Sequence, residues 1–456
     1  MSVDATIPKT SKLYELDPRA IWRFIRSQPA SYWLICVYLF FEYVRPQQIY
    51  DVISGWPFAS WVILLCAAVY VYEGAKLRPW NLADGLLGLF TLVVLLSSAL
   101  AYSPSTAFGQ LQLYVSWVLI YLLITHIVTT NGRFLFFFCC FLLFCTKMSQ
   151  HGVRSWAEAG FGFRSWGTTC APGWFQNSGE CGIQMAMFAP LSFFFILALR
   201  PYWGRLKTWV LAFMPFSAVA TIVASSSRGA VLGLAGIALW MLAKSRRRLR
   251  AMVGLAALAA LVLLILPPEQ KERFNTMGDD KTSTRRITYW KDGLEILGDH
   301  PVLGIGYKNW LPYYRSHYNP HGQLIHNIFL EAATELGYVG LGSFILLILA
   351  TFVLNRRTRK LARRLPDGGR FAWHVAHGLD CALIGFMVSG FFVTVLYYPF
   401  FWINLAMTSS LYTATLNEYR QTRARAAILP GAAGAARVPS GWRGGPPLLT
   451  HPGHGA

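Results

Sequence analysis

Long uncharged apolar runs set the class of this chain. Residues 86–100 and 255–266 carry no charged side chain at all. Runs of that length and composition belong in lipid, because a helix needs about 20 apolar residues to cross a bilayer. The background agrees: of 456 residues, 54% are hydrophobic and only 14% charged. A soluble domain is about a quarter charged. The sequence therefore predicts an all-α integral membrane protein with about 12 transmembrane helices and a large structured loop containing helices. The spans are expected near 31–47, 56–73, 83–102, 108–129, 132–149 and 181–199, then 207–225, 229–244, 249–266, 328–354, 375–396 and 399–416.

The positions of Lys and Arg orient the chain. Basic residues concentrate in cytoplasmic connections. With the N-terminus in the cytoplasm, the short basic connections all fall on one side. They hold Lys76 and Arg78, Arg133, the Arg200–Lys207 turn, the run 244–250 and the run 356–370. Short connections on the other side, near 103–107 and 397–399, carry none. The net charge of +20 is thus mostly a topology signal and does not call for nucleic acid. No cleavable signal peptide is read in the first 27 residues, which carry charge but no continuous apolar run. The expected organisation is a cytoplasmic segment at 1–30, spans at 31–266, an outer loop at 267–327, spans at 328–418 and a disordered cytoplasmic tail at 419–456. The tail is rich in Gly, Pro, Ala and Arg.

The outer loop is nearly neutral, with eight Lys or Arg against seven Asp or Glu. Within it, Ile287, Trp290, Leu294 and Leu297 recur at helical spacing and predict a helix over 284–297. Gly298 and Pro301 supply its stop. A structured loop of this length is usually functional.

Three basic positions stand out. Arg228 follows three serines and opens the span at 229–244. Arg285 and Arg286 follow Thr282, Ser283 and Thr284 and are expected in the first turn of the loop helix. His326 and Asn327 precede the next span. Helix N-termini attract anions and mildly repel cations. Arginine there, beside hydroxyls, makes sense if an anion such as phosphate binds between them. Taken singly, each also has a plainer reading as an interfacial or solvated charge. Asn177 and Glu180, in the polar stretch 173–182, suit sugar hydroxyls, although a helix cap at Asn177 or Ser178 is the plainer reading. Arg154 and Arg164 are expected on the same outer loop, adding positive potential. Glu331 and Glu335 lack the one-turn spacing to orient His326. Glu42, Glu73, Asp84 and Asp380 are read as interfacial acids. Six cysteines lie in apolar runs; Cys170 and Cys181 flank a polar stretch and pair only if it faces an oxidising compartment.

Several signatures are missing from the sequence. There is no phosphate-binding GxxxxGK[ST] loop, no HExxH and no GxSxG, and no cysteine or histidine spacing resembles a zinc site. No metal site and no cofactor is expected.

Ser227-Arg228-Gly229 lies before a span, and Arg286-Ile287-Thr288-Tyr289-Trp290 lies in a long outer loop. The loop continues with His300-Pro301, Gly304-Ile305-Gly306 and His326-Asn327, and leads into Glu335-Leu336-Gly337. With the hydropathy pattern, this combination resembles the O-antigen ligase and polymerase family of bacterial surface-glycan enzymes, most sharply over 180–350. The resemblance implies a multi-pass glycosyltransferase of the bacterial inner membrane with its site facing the periplasm. Its donor would be a glycan on undecaprenyl pyrophosphate, and its acceptor a sugar of the lipid A core. Transfer would invert the anomeric centre without a metal. By resemblance, His326, Arg286 and Arg228 would be catalytic, and Arg285, Asn327, Asn177, Glu180, Arg154 and Arg164 would bind substrate. Polymerases and protein glycosyltransferases of the same family remain alternatives; a transporter is the alternative from another class, though no convincing repeat relates the two halves.

Overall fold

Every regular element among the described residues is helical, and no strand occurs there. The fold is that of a computed structural model describing residues 10–162, 167–245, 252, 281–365 and 369–428. Fifteen α-helices follow in chain order: α1 Thr10–Tyr14, α2 Pro18–Arg26, α3 Ala30–Tyr43, α4 Phe58–Tyr72 and α5 Leu82–Ala99. Next come α6 Pro104–Ile127, α7 Asn131–Glu158, α8 Ser178–Leu199, α9 Arg205–Ala224 and α10 Arg228–Lys244. The last five are α11 Lys281–Asp299, α12 Trp310–His317, α13 Ile328–Ala362, α14 Gly369–Gly390 and α15 Pro399–Ile428.

Seven of these are long and apolar enough to cross a membrane: α5, α6, α7, α8, α9, α13 and α14. The predicted number of spans is larger. Helices α3, α4 and α10 sit where spans are predicted but have only 14, 15 and 17 residues. Apart from residue 252, the predicted span at 249–266 lies outside the described residues, as do 267–280 and 429–456. Helix α15 fails on composition, for a clear reason: it is sheathed by α6, α13 and α14 and never needs to face lipid. It therefore carries buried Asn404, Thr408, Ser409, Ser410, Thr413 and Thr415.

Local chemistry sets the helix starts. Asn81 and Asp84 form a reciprocal capping box at α5. Thr130, Asn177, Ser227 and Asn327 cap α7, α8, α10 and α13 with side-chain oxygens. Close packing relies on small residues, as membrane bundles do. A Cβ at Gly182 of α8 would meet the Ala230 side chain of α10 at 2.6 Å.

Three boundaries differ from expectation. Helix α7 runs to Glu158, so Arg154 is on a helix and not in the predicted loop. Helix α15 reaches Ile428, so residues 419–428 are helical where a disordered tail is predicted. Helix α14 stops at Gly390, and 391–398 is irregular backbone where a span to 396 is predicted. The expected interfacial place of the acids also fails for Asp380, which is 2% exposed within α14 and bonded to Arg359 at 2.6 Å and Asn355 at 2.8 Å.

The loop ahead of α13 is folded as expected over its described part. Tyr289, Ile296, Ile305, Trp310, Tyr314 and Ile325 form a second core apart from the main one. The buried face of α11 is partly the predicted one: Leu297 is buried and Trp290 packs on the second core, but Ile287 and Leu294 are 42% and 57% exposed while Tyr289 and Ile296 pack inward. Indole N–H bonds fix the returning chain: Trp290 donates to the Ile325 carbonyl at 3.0 Å and Trp310 to that of Gln323 at 2.9 Å.

Candidate active site

Arg228 and Arg286 line one cleft of about 200 Å3, with Ser283, Ile287, Trp290 and Phe392 in its walls. Residues 58 positions apart, one opening α10 and one on α11, thus face the same space. Arg228 is the first residue of α10, behind the Ser227 cap, whose hydroxyl accepts from the Ala230 N–H at 3.3 Å. Arg286 does not sit in the first turn as predicted. Helix α11 already includes Lys281, so of Arg228, Arg285 and Arg286 only Arg228 stands in the first turn of its helix, where free N–H groups would favour an anion beside it. Arg285 is exposed and does not line the cleft, which separates two neighbours that the sequence leaves in competition.

His326 stands within electrostatic reach of Arg286. Burial, and then the Arg286 guanidinium, depress its imidazole to about 4. The ring is therefore neutral near pH 7. Its backbone is in the left-handed region, with φ of 54°. A side chain seldom adopts that region, and such strain persists only where surroundings impose it. Here the His326 N–H donates to the Thr394 hydroxyl at 2.7 Å. Immediately after, Asn327 is 1% exposed, and its side-chain Oδ1 caps α13 by accepting from the Phe329 and Leu330 N–H groups.

The irregular 391–398 segment ties these parts together. Phe391 and Phe392 pack on Trp290, with ring centroids 5.3 and 6.3 Å away. Thr394 holds His326, and the Leu396 N–H donates to the Glu331 carboxylate at 3.1 Å. Tyr397 lies under the Lys308 ammonium at 4.4 Å, and that ammonium is 3.6 Å from Glu331. Glu335 accepts from the Lys308 N–H at 3.0 Å. Neither Glu331 nor Glu335 touches the imidazole; both hold the backbone around it.

The remaining candidates are dispersed. Asn177 caps α8, accepting from the Gly179 N–H at 3.1 Å. Glu180 is buried beside the Tyr398 hydroxyl at the far end of the same segment. Arg154 is exposed and pairs with Glu158 at 3.4 Å. Arg164 lies outside the described residues. Cys170 and Cys181 are joined in a disulfide. Among the described residues, no group of His, Cys, Asp and Glu is arranged to hold a metal ion. Thr394 and Lys308 are absent from the sequence-derived set, because a lone Thr in an apolar run or a lone Lys in a loop carries no pattern.

Residues 213–345, which hold Arg228, Arg286 and His326, match the O-Antigen ligase family. The chain is 27% identical over 186 residues to an O-antigen ligase of Pseudomonas aeruginosa, covering 39% of this chain and 43% of that protein. The match thus spans less than half of that relative. A solved structure described as "Structural coordination of polymerization and crosslinking by a peptidoglycan synthase complex" contains a chain that is 17% identical. It covers 74% of this chain and 97% of its own length, with a TM-score of 0.39. The segment that carries Arg228, Arg286 and His326 thus matches the O-antigen ligase family, and the curated relative supports that family for it.

Proposed function

We propose that this protein moves a glycan from undecaprenyl pyrophosphate to an acceptor sugar, that of the lipid A core, on the periplasmic side of the bacterial inner membrane. The observation that carries this reading is the meeting of Arg228 and Arg286 in one cleft, with His326 close enough to feel Arg286. Two guanidiniums lining one cleft make it positive, and their forked geometry suits the oxygens of a pyrophosphate.

The step is a displacement at the anomeric carbon. The acceptor hydroxyl forms the new C–O bond from the face opposite the leaving group, so the centre inverts. The bond to the carrier breaks, and its electron pair leaves on the pyrophosphate. Arg228 and Arg286 stabilise that growing charge. His326 takes the hydroxyl proton as general base. Burial is the larger cause of the depressed value and Arg286 the smaller; the arriving pyrophosphate offsets the field of Arg286 and so raises the imidazole from about 4, which makes it a better base. Under this proposal the chain crosses the membrane about 12 times.

The test is transfer by the purified protein from lipid-pyrophosphate-linked glycan, given lipid A core or no second acceptor. Product on the core identifies a ligase. Longer lipid-linked chains without the core identify a polymerase and overturn the acceptor assignment. Arg286→Ala should lose about 100-fold or more, while Arg285→Ala stays near wild type. Equal losses at both positions would remove the specific role of Arg286.

A further inference from the structure

The end of the bundle away from the arginine cleft holds a larger cavity, of about 380 Å3. Its wall brings together the start of α3, the α4–α5 connection, the end of α6 and the start of α7. Three cations line it, Lys76, Arg78 and Arg133, against one acid, Glu73. Glu73 is spent on α3: its carboxylate accepts from the Ala30 N–H at 2.8 Å and the Ser31 hydroxyl at 2.5 Å. Arg78 is 6% exposed and pairs in a fork with Asp84 at 2.9 and 2.5 Å. Its Nε, also buried, has no hydrogen-bond partner among the described residues. Arg133 uses Nε on Gln28 at 2.7 Å and Nη1 on the Ile127 carbonyl at 2.9 Å, with its guanidinium over the Tyr32 ring at 5.7 Å, and its Nη2 makes no hydrogen bond among the described residues. Lys76 is exposed, and its ammonium enters no ion pair among the described residues. With Asp84 included, the walls keep an excess of positive charge.

The surroundings of the cavity are apolar. Tyr72, Leu77 and Trp80 are 92%, 81% and 81% exposed on the segment that borders it. Aromatic and aliphatic side chains in that setting belong at a membrane interface. A cationic recess with apolar lips matches an amphiphilic anion, with its charge inside and its chains along the rim.

We propose that this cavity binds the phosphate headgroup of an anionic phospholipid, at the opposite end of the bundle from the glycan-transfer cleft. Free phosphate shares the cations but gains nothing from the rim. Arg133 Nη2 and Lys76 supply the open donors, as in other basic pockets that hold lipid headgroups.

The full-length protein in detergent would be exchanged with phosphatidylglycerol, phosphatidylcholine or sodium phosphate, then read by native mass spectrometry and thermal melting. The expected result is a retained phosphatidylglycerol and a melting point several degrees above that with phosphatidylcholine. Lys76→Gln, on an exposed connection, should cut that retention several-fold without changing the melting point in phosphatidylcholine. Adding Arg133→Gln should abolish the difference between the two lipids. Equal retention of both lipids by wild type, or retention unchanged in the double variant, overturns the proposal. Stabilisation by sodium phosphate matching that by phosphatidylglycerol assigns the cavity to a free anion and overturns the lipid.

Discussion

The imidazole of His326, the base in the proposed mechanism, takes its character from its neighbours. Its ring is neutral because it is buried beside Arg286, and its aim is set by a left-handed backbone held through one hydroxyl. Thr394→Val keeps the shape and removes the acceptor, leaving the His326 N–H unsatisfied at a cost of about 1–3 kcal/mol. Under the proposed mechanism, kcat should fall about tenfold, with donor binding unchanged because the arginines are untouched. A kcat equal to wild type would show that Thr394 does not position the base. The pH profile reports the same residue. A base works only when unprotonated, so activity should drop as pH falls through its pKa. For kcat/KM, which reads the free enzyme, that acid limb should lie near 4. For kcat, which reads the donor complex, it should lie higher, because bound pyrophosphate favours the imidazolium. Acid limbs at the same pH in both profiles would remove the electrostatic link between His326 and the anion site.

At the scale of elements, the decisive feature is a helix that breaks. Gly337 in α13 has φ of 67° and ψ of −171°, a conformation essentially confined to glycine. The break frees the carbonyls of Thr334 and Glu335, which accept from the Ile305 and Gly306 N–H groups at 2.9 and 3.0 Å. In return the Tyr338 N–H donates to the Pro301 carbonyl at 2.7 Å. The two glycine motifs of the sequence are therefore halves of one backbone clasp. A Cβ at Gly337 would meet the Val302 carbonyl oxygen at 2.2 Å, and one at Gly304 the Thr334 oxygen at 2.4 Å. Gly337→Ala should cost on the order of 3 kcal/mol, seen as a melting point lowered by several degrees. An unchanged melting point would show that the clasp does not support the fold. Arg228, Arg286 and His326 were legible in the sequence because charge is conspicuous in an apolar chain. The 391–398 segment was not, because Phe391-Phe392-Val393 and Val395-Leu396 are as apolar as the span before them. Hydropathy measures apolarity and is blind to backbone path, and irregular backbone is tolerated at such depth where protein covers it. The helix-start theme failed at Arg286 for a related reason: the polar run 281–284 reads as a cap but continues the helix.

At the scale of the whole molecule, the two ends of the bundle differ in chemistry. Arg133 bonds to Gln28 and Arg370 to the Leu197 and Ala198 carbonyls, both at the end where α3, α7 and α14 begin, and Arg359, near the end of α13, reaches from there to Asp380. The arginine cleft, His326 and the Cys170–Cys181 disulfide lie at the other end. A basic end retained in the cytoplasm and a disulfide in an oxidising compartment call for the same orientation on independent grounds. The prediction is that the cleft end faces the periplasm. His321, exposed ahead of α13, and Arg356, exposed near the far end of the same helix, are suited to single-cysteine labelling. In spheroplasts treated with a membrane-impermeant maleimide, His321→Cys should label at once. Arg356→Cys should label only after the membrane is disrupted. The parent protein, whose six free cysteines are buried or half-buried, gives the background. Immediate labelling at Arg356→Cys with protection at His321→Cys would turn the molecule over. The glycan donor, the acceptor and the proposed lipid site would then each have to be sought on the opposite membrane face.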